Sequence, residues 1–201
     1  MSEVAPLGRA PRGWARVARR IRVPLGFLFA AVYLWLAVPG LGTILVGAVL
    51  IAAGLAVRAI ASGQLRKNEQ LATAGPYSYT RNPLYLGSML IAVGFAFASR
   101  SIWIWIVLAG LFVCIYVPVI RSEEAFLRET FPEFAAYAQR VPRLWPRWSG
   151  EALLANFSRE LYWQHREYNA WIGAGLMLLA IILKMALTTH VPAWDFRQGW
   201  H

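Results

Sequence analysis

Leu41-Gly42-Thr43-Ile44-Leu45-Val46-Gly47-Ala48-Val49-Leu50-Ile51-Ala52-Ala53-Gly54-Leu55-Ala56-Val57-Arg58-Ala59-Ile60-Ala61-Ser62 is apolar or small throughout, except for Arg58 and its two hydroxyl residues. A bilayer core of about 30 Å is crossed by about 20 mostly apolar residues wound as a helix. The run has that length and predicts a membrane span. Arg58 falls in its last turns, where a long cationic side chain snorkels to the interface.

Similar runs lie on either side. Val23–Pro39 precedes it across the Pro39–Gly40 turn, and the two read as a tight helical hairpin. No small-residue cleavage site supports reading the first run as a signal peptide. Leu84–Ala98 and Ile102–Ile120 are separated only by Ser99-Arg100-Ser101 and form a second hairpin, with Pro118 as a kink near its end. Trp171–Thr189 is a fifth span, with Lys184 near its far end. Between the fourth and fifth runs, Ala125–Arg140 sets Phe126, Leu127, Phe131, Phe134 and Tyr137 among charges. That spacing predicts an amphipathic helix at headgroup level, with Trp145, Trp148, Tyr162 and Trp163 at the same interface. The expected architecture is all-α: a polytopic transmembrane helical bundle of about five spans. Two hairpins and a C-terminal helix make up the spans, and an interfacial amphipathic helix accompanies them.

The chain carries a net charge of +10, with 58% hydrophobic and 15% charged residues. The charged share is well below the roughly 25% of soluble domains. Its basic residues sit in short segments between apolar runs rather than in a stripe interleaved with aromatics, which argues for a topology signal and against nucleic-acid binding. Arg9, Arg12, Arg16, Arg19, Arg20 and Arg22 precede the first run, and most other arginines fall in Gly63–Pro83 and Arg121–Tyr168. Five spans put these three segments on one side. The positive-inside rule makes that side cytoplasmic and places the C-terminal tail, with Trp194, Arg197 and Trp200, opposite. The single cysteine, Cys114, lies in an apolar run and reads as a buried structural thiol. His165, His190 and His201 lack metal-ligand spacing, so no metal site is expected. No P-loop, dinucleotide fingerprint or Ser/His/Asp arrangement appears.

Two segments beside membrane runs carry the polar chemistry. One is Gly75-Pro76-Tyr77-Ser78-Tyr79-Thr80-Arg81-Asn82-Pro83-Leu84-Tyr85-Leu86-Gly87. The other begins Arg121-Ser122-Glu123-Glu124 and continues through Phe131, Tyr137, Val141-Pro142-Arg143 and Pro146. On a helix, Glu123 and Glu124 point about 100° apart, so they do not share one site. One can face a pocket while the other pairs with a cation such as Arg121 or Arg81. Gly-Pro and Asn-Pro prevent the loop from continuing as helix and free its backbone for a ligand. Tyr77, Tyr79 and Tyr85 offer π-faces. Taken singly, each feature is also what an ordinary interfacial anchor, salt-bridged face or helix start looks like.

Their order is more specific. From about Leu41 to Pro146 the chain resembles the isoprenylcysteine carboxyl methyltransferase and phospholipid methyltransferase superfamily. There, Gly-Pro-Tyr is followed by Arg-His-Pro or Arg-Asn-Pro, a Tyr and a Gly, then a helical hairpin, Glu-Glu, and a tail ending in Val-Pro-Arg and Pro. Asn82 stands where one form of the pattern has histidine, which removes imidazole chemistry at that point. Pro132 replaces a usual Gly, and Phe134 a frequent Tyr.

The resemblance implies an integral membrane enzyme using S-adenosylmethionine to methylate a membrane lipid or a prenylated, isoprenylcysteine carboxylate-like substrate. It implies a cytoplasm-facing cofactor pocket walled by Gly75, Pro76, Tyr77, Arg81, Asn82, Pro83, Tyr85, Glu123, Glu124 and Tyr137. Arg81, Glu124 and Arg143 become the catalytic candidates: the arginines to hold an acidic acceptor or phosphate, Glu124 to take a proton from an amine. Residues 1–22 would be a basic cytoplasmic segment, 23–146 the methyltransferase-like core, and 147–201 an extension with an additional membrane helix and no catalytic role. The rival readings are a nicotinamide-dependent reductase of the sterol type, a non-enzymatic membrane protein, and a family member that binds cofactor without turnover.

Overall fold

The computed structural model describes residues 28–66 and 69–190. The start of the expected first span, the basic N-terminal segment and the tail beyond residue 190 lie outside the described residues. The chain divides into two compact units, Met1–Trp35 and Leu36–His201. Helix α1 is described over residues 28–36. Within the first unit the rings of Phe29 and Tyr33, one turn apart, lie 6.2 Å from each other.

The second unit contains α2 (Leu41–Ser62), α3 (Pro76–Tyr79), α4 (Pro83–Ser99), α5 (Ile102–Leu111), a π-helical turn (Phe112–Tyr116), α6 (Val117–Thr130), α7 (Phe134–Arg140), α8 (Arg159–Gln164) and α9 (Tyr168–His190). No strand occurs among the described residues. Among the described residues, three helical stretches are long and apolar enough to cross a membrane: Leu41–Ser62, Ile102–Thr130 and Tyr168–Thr188. Pro83–Ser99 is a shorter apolar helix.

Local chemistry explains the boundaries. α2 begins where Gly40 and Thr43 cap one another, the Gly40 N–H donating to Thr43 Oγ1 (3.3 Å) and that hydroxyl donating to the Gly40 carbonyl (2.9 Å). α3 and α4 both start on proline, which tolerates the first helical turn. α4 ends at Arg100 in the left-handed region, φ 52°. Pro118 follows the π-helical turn. Its ring removes one N–H and crowds the carbonyl four residues back, and the wider turn relieves both.

The helix therefore continues through Pro118 to Thr130 instead of ending near Ile120. The expected amphipathic stretch Ala125–Arg140 is divided: its first part completes this rod, and Phe131-Pro132-Glu133 separates it from α7. At 1.5 Å per residue, Glu124 lies about 33 Å along the rod from Ile102, one hydrocarbon thickness away. Cys114, expected to be buried, is exposed on the π-helical turn.

The tightest packing joins α2 to α4, which come from different expected hairpins. A Cβ on Gly47 would meet the Gly94 carbonyl at 2.5 Å, and one on Gly94 would meet the Gly47 carbonyl at 2.6 Å. Two turns on, Gly54 and Gly87 repeat the relation at 2.5 and 2.7 Å. The two glycine pairs, seven residues apart on each helix, bring the backbones together as small residues do in membrane bundles. α9 closes over this pair, with Ala174 buried against Ile51 and Leu55 and with Ile91, Phe95, Ala170 and Leu178 around them. Lys184 donates to the Ala37 carbonyl at 2.5 Å.

Candidate functional site

The loop from Gly75 to Asn82 is held from both sides. Gly75 has φ +58°, and a Cβ there would overlap the Gln64 side-chain amide, so the turn requires glycine. Its N–H donates to Glu151 Oε2 at 3.2 Å, and Ser78 Oγ donates back to the Gly75 carbonyl at 2.6 Å. Thr80-Arg81-Asn82 then runs beside the tail after α7. The Arg81 N–H donates to the Pro142 carbonyl (2.9 Å), and Thr80 Oγ1 lies 3.2 and 3.1 Å from the carbonyls of Arg143 and Leu144. Arg147 N–H donates to the Tyr79 carbonyl at 2.9 Å.

Glu124 is the centre of this arrangement. Its side chain is 7% exposed. Oε2 accepts from Arg143 Nε at 2.9 Å and lies 2.8 Å from the same guanidinium's terminal nitrogen. Oε1 accepts from Asn82 Nδ2 at 3.3 Å and faces Arg81 at 3.6 Å. Asn82 Nδ2 also donates to the Arg143 carbonyl at 2.8 Å. A carboxylate this buried is tolerable because two guanidiniums and an amide surround it. Arg81 is itself largely buried, whereas half of the Arg143 side chain is exposed.

Tyr137 donates to the Tyr77 carbonyl at 2.7 Å and so fastens α7 to α3. Burial pushes the Tyr77 hydroxyl well above the ordinary tyrosine value, with Glu123, Tyr137 and Glu167 adding to the effect. Burial raises Tyr137 too, partly opposed by Arg81. Both are neutral phenols at ordinary pH. Three buried side-chain polar atoms have no partner among the described residues: Tyr77 Oη, Arg81 Nε and, beside Gly75, Gln64 Oε1.

The structure thus gathers Gly75, Pro76, Tyr77, Arg81, Asn82, Glu124, Tyr137 and Arg143. Pro83 is buried at the start of α4. Tyr85 and Glu123 form a separate pair, Tyr85 donating to Glu123 Oε2 at 2.8 Å, with the Tyr116 ring edge-on to Tyr85 at 6.0 Å. A cleft of about 750 Å³ adjoins the cluster, bordered by Ser78, Tyr137, Arg140, Arg147, Trp148 and Glu151. Of the residues expected to wall the pocket or, with the Val141-Pro142-Arg143 segment, to close over it, Tyr137 and Val141 border this cleft.

Several contributors were not among the site residues expected from the sequence. Arg58 does not simply snorkel: its Nε and a terminal nitrogen donate to the two oxygens of Glu167 at 3.0 and 2.8 Å. Its other terminal nitrogen donates to Ser88 Oγ at 2.5 Å. Glu151 reaches Gly75, and its carbonyl accepts from Tyr79 Oη at 2.5 Å. A charge inside an apolar helix was the available signal for Arg58; it marks a group needing a partner but does not name one a hundred residues away. Among the described residues no three His, Cys, Asp or Glu side chains are grouped to hold a metal ion.

Comparison with known proteins bears on the same segment. Over 84 residues the chain is 46% identical to the cobalt-zinc-cadmium resistance protein CzcN of Cupriavidus metallidurans. It is 44% identical over 84 residues to the nickel-cobalt-cadmium resistance protein NccN of Alcaligenes xylosoxydans xylosoxydans. Each alignment covers 42% of this chain and 39% of the relative. No solved structure matches. The family model described as phospholipid methyltransferase matches residues 30–133, more than half of the chain and the part that carries Gly75–Gly87, Glu123 and Glu124. The chain therefore belongs to the phospholipid methyltransferase family, within the isoprenylcysteine/phospholipid methyltransferase superfamily.

Proposed function

We propose that this chain uses S-adenosylmethionine to methylate a membrane-resident acceptor, a lipid or a prenylated, isoprenylcysteine carboxylate-like substrate, from the cytoplasmic face. The observation that carries the reading is the convergence of Arg81, Asn82 and Glu124 in one buried cluster at the end of a membrane-length helix.

The residues present fit the cofactor. The partnerless Tyr77 hydroxyl and Arg81 Nε are a donor/acceptor and a donor that a polar ligand would satisfy. Aromatic rings at Tyr77, Tyr85 and Tyr137 suit a compact cation. Glu124 is already neutralised by Arg81 and Arg143, so the carboxylate left to meet the cofactor's positive charge is Glu123, beside the Tyr85 ring. S-adenosylmethionine supplies an electrophilic methyl group when bound. The chain's own contribution is alignment and exclusion of water. Both Glu124 oxygens already accept from cationic or amide donors, so taking a proton there breaks the cluster. An acceptor that arrives deprotonated, such as a carboxylate or thiolate, needs no such step. Arg143, half exposed, is placed to meet an anionic group.

The two relatives are named for resistance to cobalt, zinc, cadmium and nickel. We read this as a metal-stress setting for methylation of a membrane component, not as a metal site in this chain. Incubating membranes that contain the full-length protein with methyl-labelled S-adenosylmethionine tests the reading. Label is expected in the organic-soluble or membrane-protein fraction, and to be lost with Arg81→Ala. No transfer above membranes lacking the protein, or cofactor-dependent oxidation of a reduced nicotinamide instead, overturns it.

A further inference from the structure

We propose that Glu167, in the C-terminal extension, is a positioning residue for the cofactor site, acting through the fork it forms with Arg58 at the first turns of α4. The inference rests on reading the Arg81–Asn82–Glu124 cluster as that site.

Glu167 lies between α8 and α9, outside the segment matched by the family model. It holds Arg58 by two parallel bonds, the geometry that orients a guanidinium most firmly. Arg58 then reaches α4: one nitrogen donates to Ser88 Oγ at 2.5 Å and lies 3.4 Å from the Leu84 carbonyl. Leu84 and Ser88 are in the first two turns of α4, which begins at Pro83 directly after Arg81 and Asn82 and carries Tyr85. The stem of Arg58 crosses Gly87 so closely that a Cβ there would lie 2.6 Å from Arg58 Cγ. Glycine in the Tyr-Leu-Gly part of the motif thus makes room for the stem of the residue that Glu167 holds as well as for the Gly54 carbonyl.

The two side chains are mostly buried, 24% exposed for Arg58 and 12% for Glu167. Removing one partner leaves the other charge stranded, so the pair holds its geometry more firmly than a surface pair does. Glu167 also contributes to the negative surroundings of the partnerless Tyr77 hydroxyl. The extension is tied to the loop elsewhere as well. Ser158 N–H donates to the Gly63 carbonyl at 2.7 Å, Gln64 Nε2 to the Leu153 carbonyl at 2.5 Å, and Ser78 Oγ is 2.7 Å from Ser149 Oγ. Residues 147–151 are thus tied to Gly75–Tyr79 and residues 153–158 to Gly63–Gln64, and Glu167 is the last of these attachments and an ion pair.

The test is calorimetric titration of S-adenosylmethionine into the full-length protein in lipid nanodiscs, with melting temperatures measured in parallel. Glu167→Gln and Arg58→Lys, which keeps the charge but loses the fork, are each expected to weaken affinity about tenfold. The double variant is expected to be no weaker than the worse single one, because both break one interaction. Ile181→Ala, at a fully buried position of α9 away from the fork, serves as the stability control and is expected to lower the melting temperature while keeping affinity. If Glu167→Gln does not fold, Arg58→Lys carries the comparison. Wild-type affinity in the variants, or an equal loss of affinity in Ile181→Ala at a matched melting temperature, overturns the positioning role alone. Failure of the wild type to bind overturns the cofactor reading and this inference with it.

Discussion

Arg81 lies 3.6 Å from Glu124, yet its buried Nε has no hydrogen-bond partner. The residue is thus half-engaged: one end of the guanidinium neutralises a carboxylate while its inner nitrogen stays unpaired. Glu124→Gln removes the charge that Arg81 and Arg143 share. Arg143 is half exposed and loses little, but Arg81 is left as a buried, uncompensated cation. A loss of about 3 kcal/mol of stability is expected, the scale for breaking a buried pair from one side. Denaturation in lipid nanodiscs measures it. A loss under about 1 kcal/mol would show that the cluster is solvated like a surface pair.

Tyr77→Phe should act in the opposite direction on stability. The hydroxyl it removes is buried and partnerless, so its loss leaves the ligand-free protein unchanged or steadier by up to about 1 kcal/mol. Affinity for S-adenosylmethionine should nevertheless fall about five- to tenfold, because the ligand is what satisfies that hydroxyl. Parallel melting and titration curves separate the two effects. A destabilised variant with unchanged affinity would mean that Tyr77 serves packing alone.

The glycine seam makes a prediction of its own. Gly54→Ala places a methyl group 2.5 Å from the Gly87 carbonyl and forces α2 and α4 apart, at an expected loss of about 1–3 kcal/mol. Gly110→Ala, also in a helix interior but with nothing within 4 Å of the added carbon, should be neutral or stabilising by up to about 1 kcal/mol. Thermal unfolding in one detergent ranks the two, and equal behaviour contradicts the close approach.

The raised Tyr77 and Tyr137 hydroxyls set a pH dependence. In the unfolded chain a tyrosine ionises near pH 10; in the folded chain both ionise higher, since burial disfavours phenolate. Their contribution is therefore fully present below about pH 10 and is lost as pH rises from there through the folded values. Stability from these groups should be flat between about pH 6 and 9 and fall above about 10. Tyr137→Phe should flatten part of that fall while removing the bond to the Tyr77 carbonyl, at about 1 kcal/mol.

Much of this molecule was legible in the residues because membrane insertion depends on length and apolarity, which are local. Leu41–Ser62 appears as a helix with the bounds read from the chain, and Asn82-Pro83 starts α4 as the missing proline N–H dictates. Motif order also points to Arg81, Asn82, Glu124 and Arg143, which the fold brings together. Helix partners were less legible. α2 packs most closely on α4, because the Gly47/Gly54 and Gly87/Gly94 spacings match, and such a match is a property of two segments rather than one. The continuation of α6 past Pro118 depends on a π-helical turn that absorbs the proline, and hydropathy does not report it. Glu151 and Glu167 lie in a segment with no motif around them, and only the fold brings them to Gly75 and Arg58.

Ultraviolet cross-linking of methyl-labelled S-adenosylmethionine to the full-length protein in nanodiscs, followed by peptide mapping, tests the central claim most directly. The account predicts label on peptides containing Tyr77–Tyr85 and Glu124–Arg143, displaced by unlabelled S-adenosylhomocysteine and reduced in Glu124→Gln. Label confined to α9, or none that the competitor displaces, would contradict it.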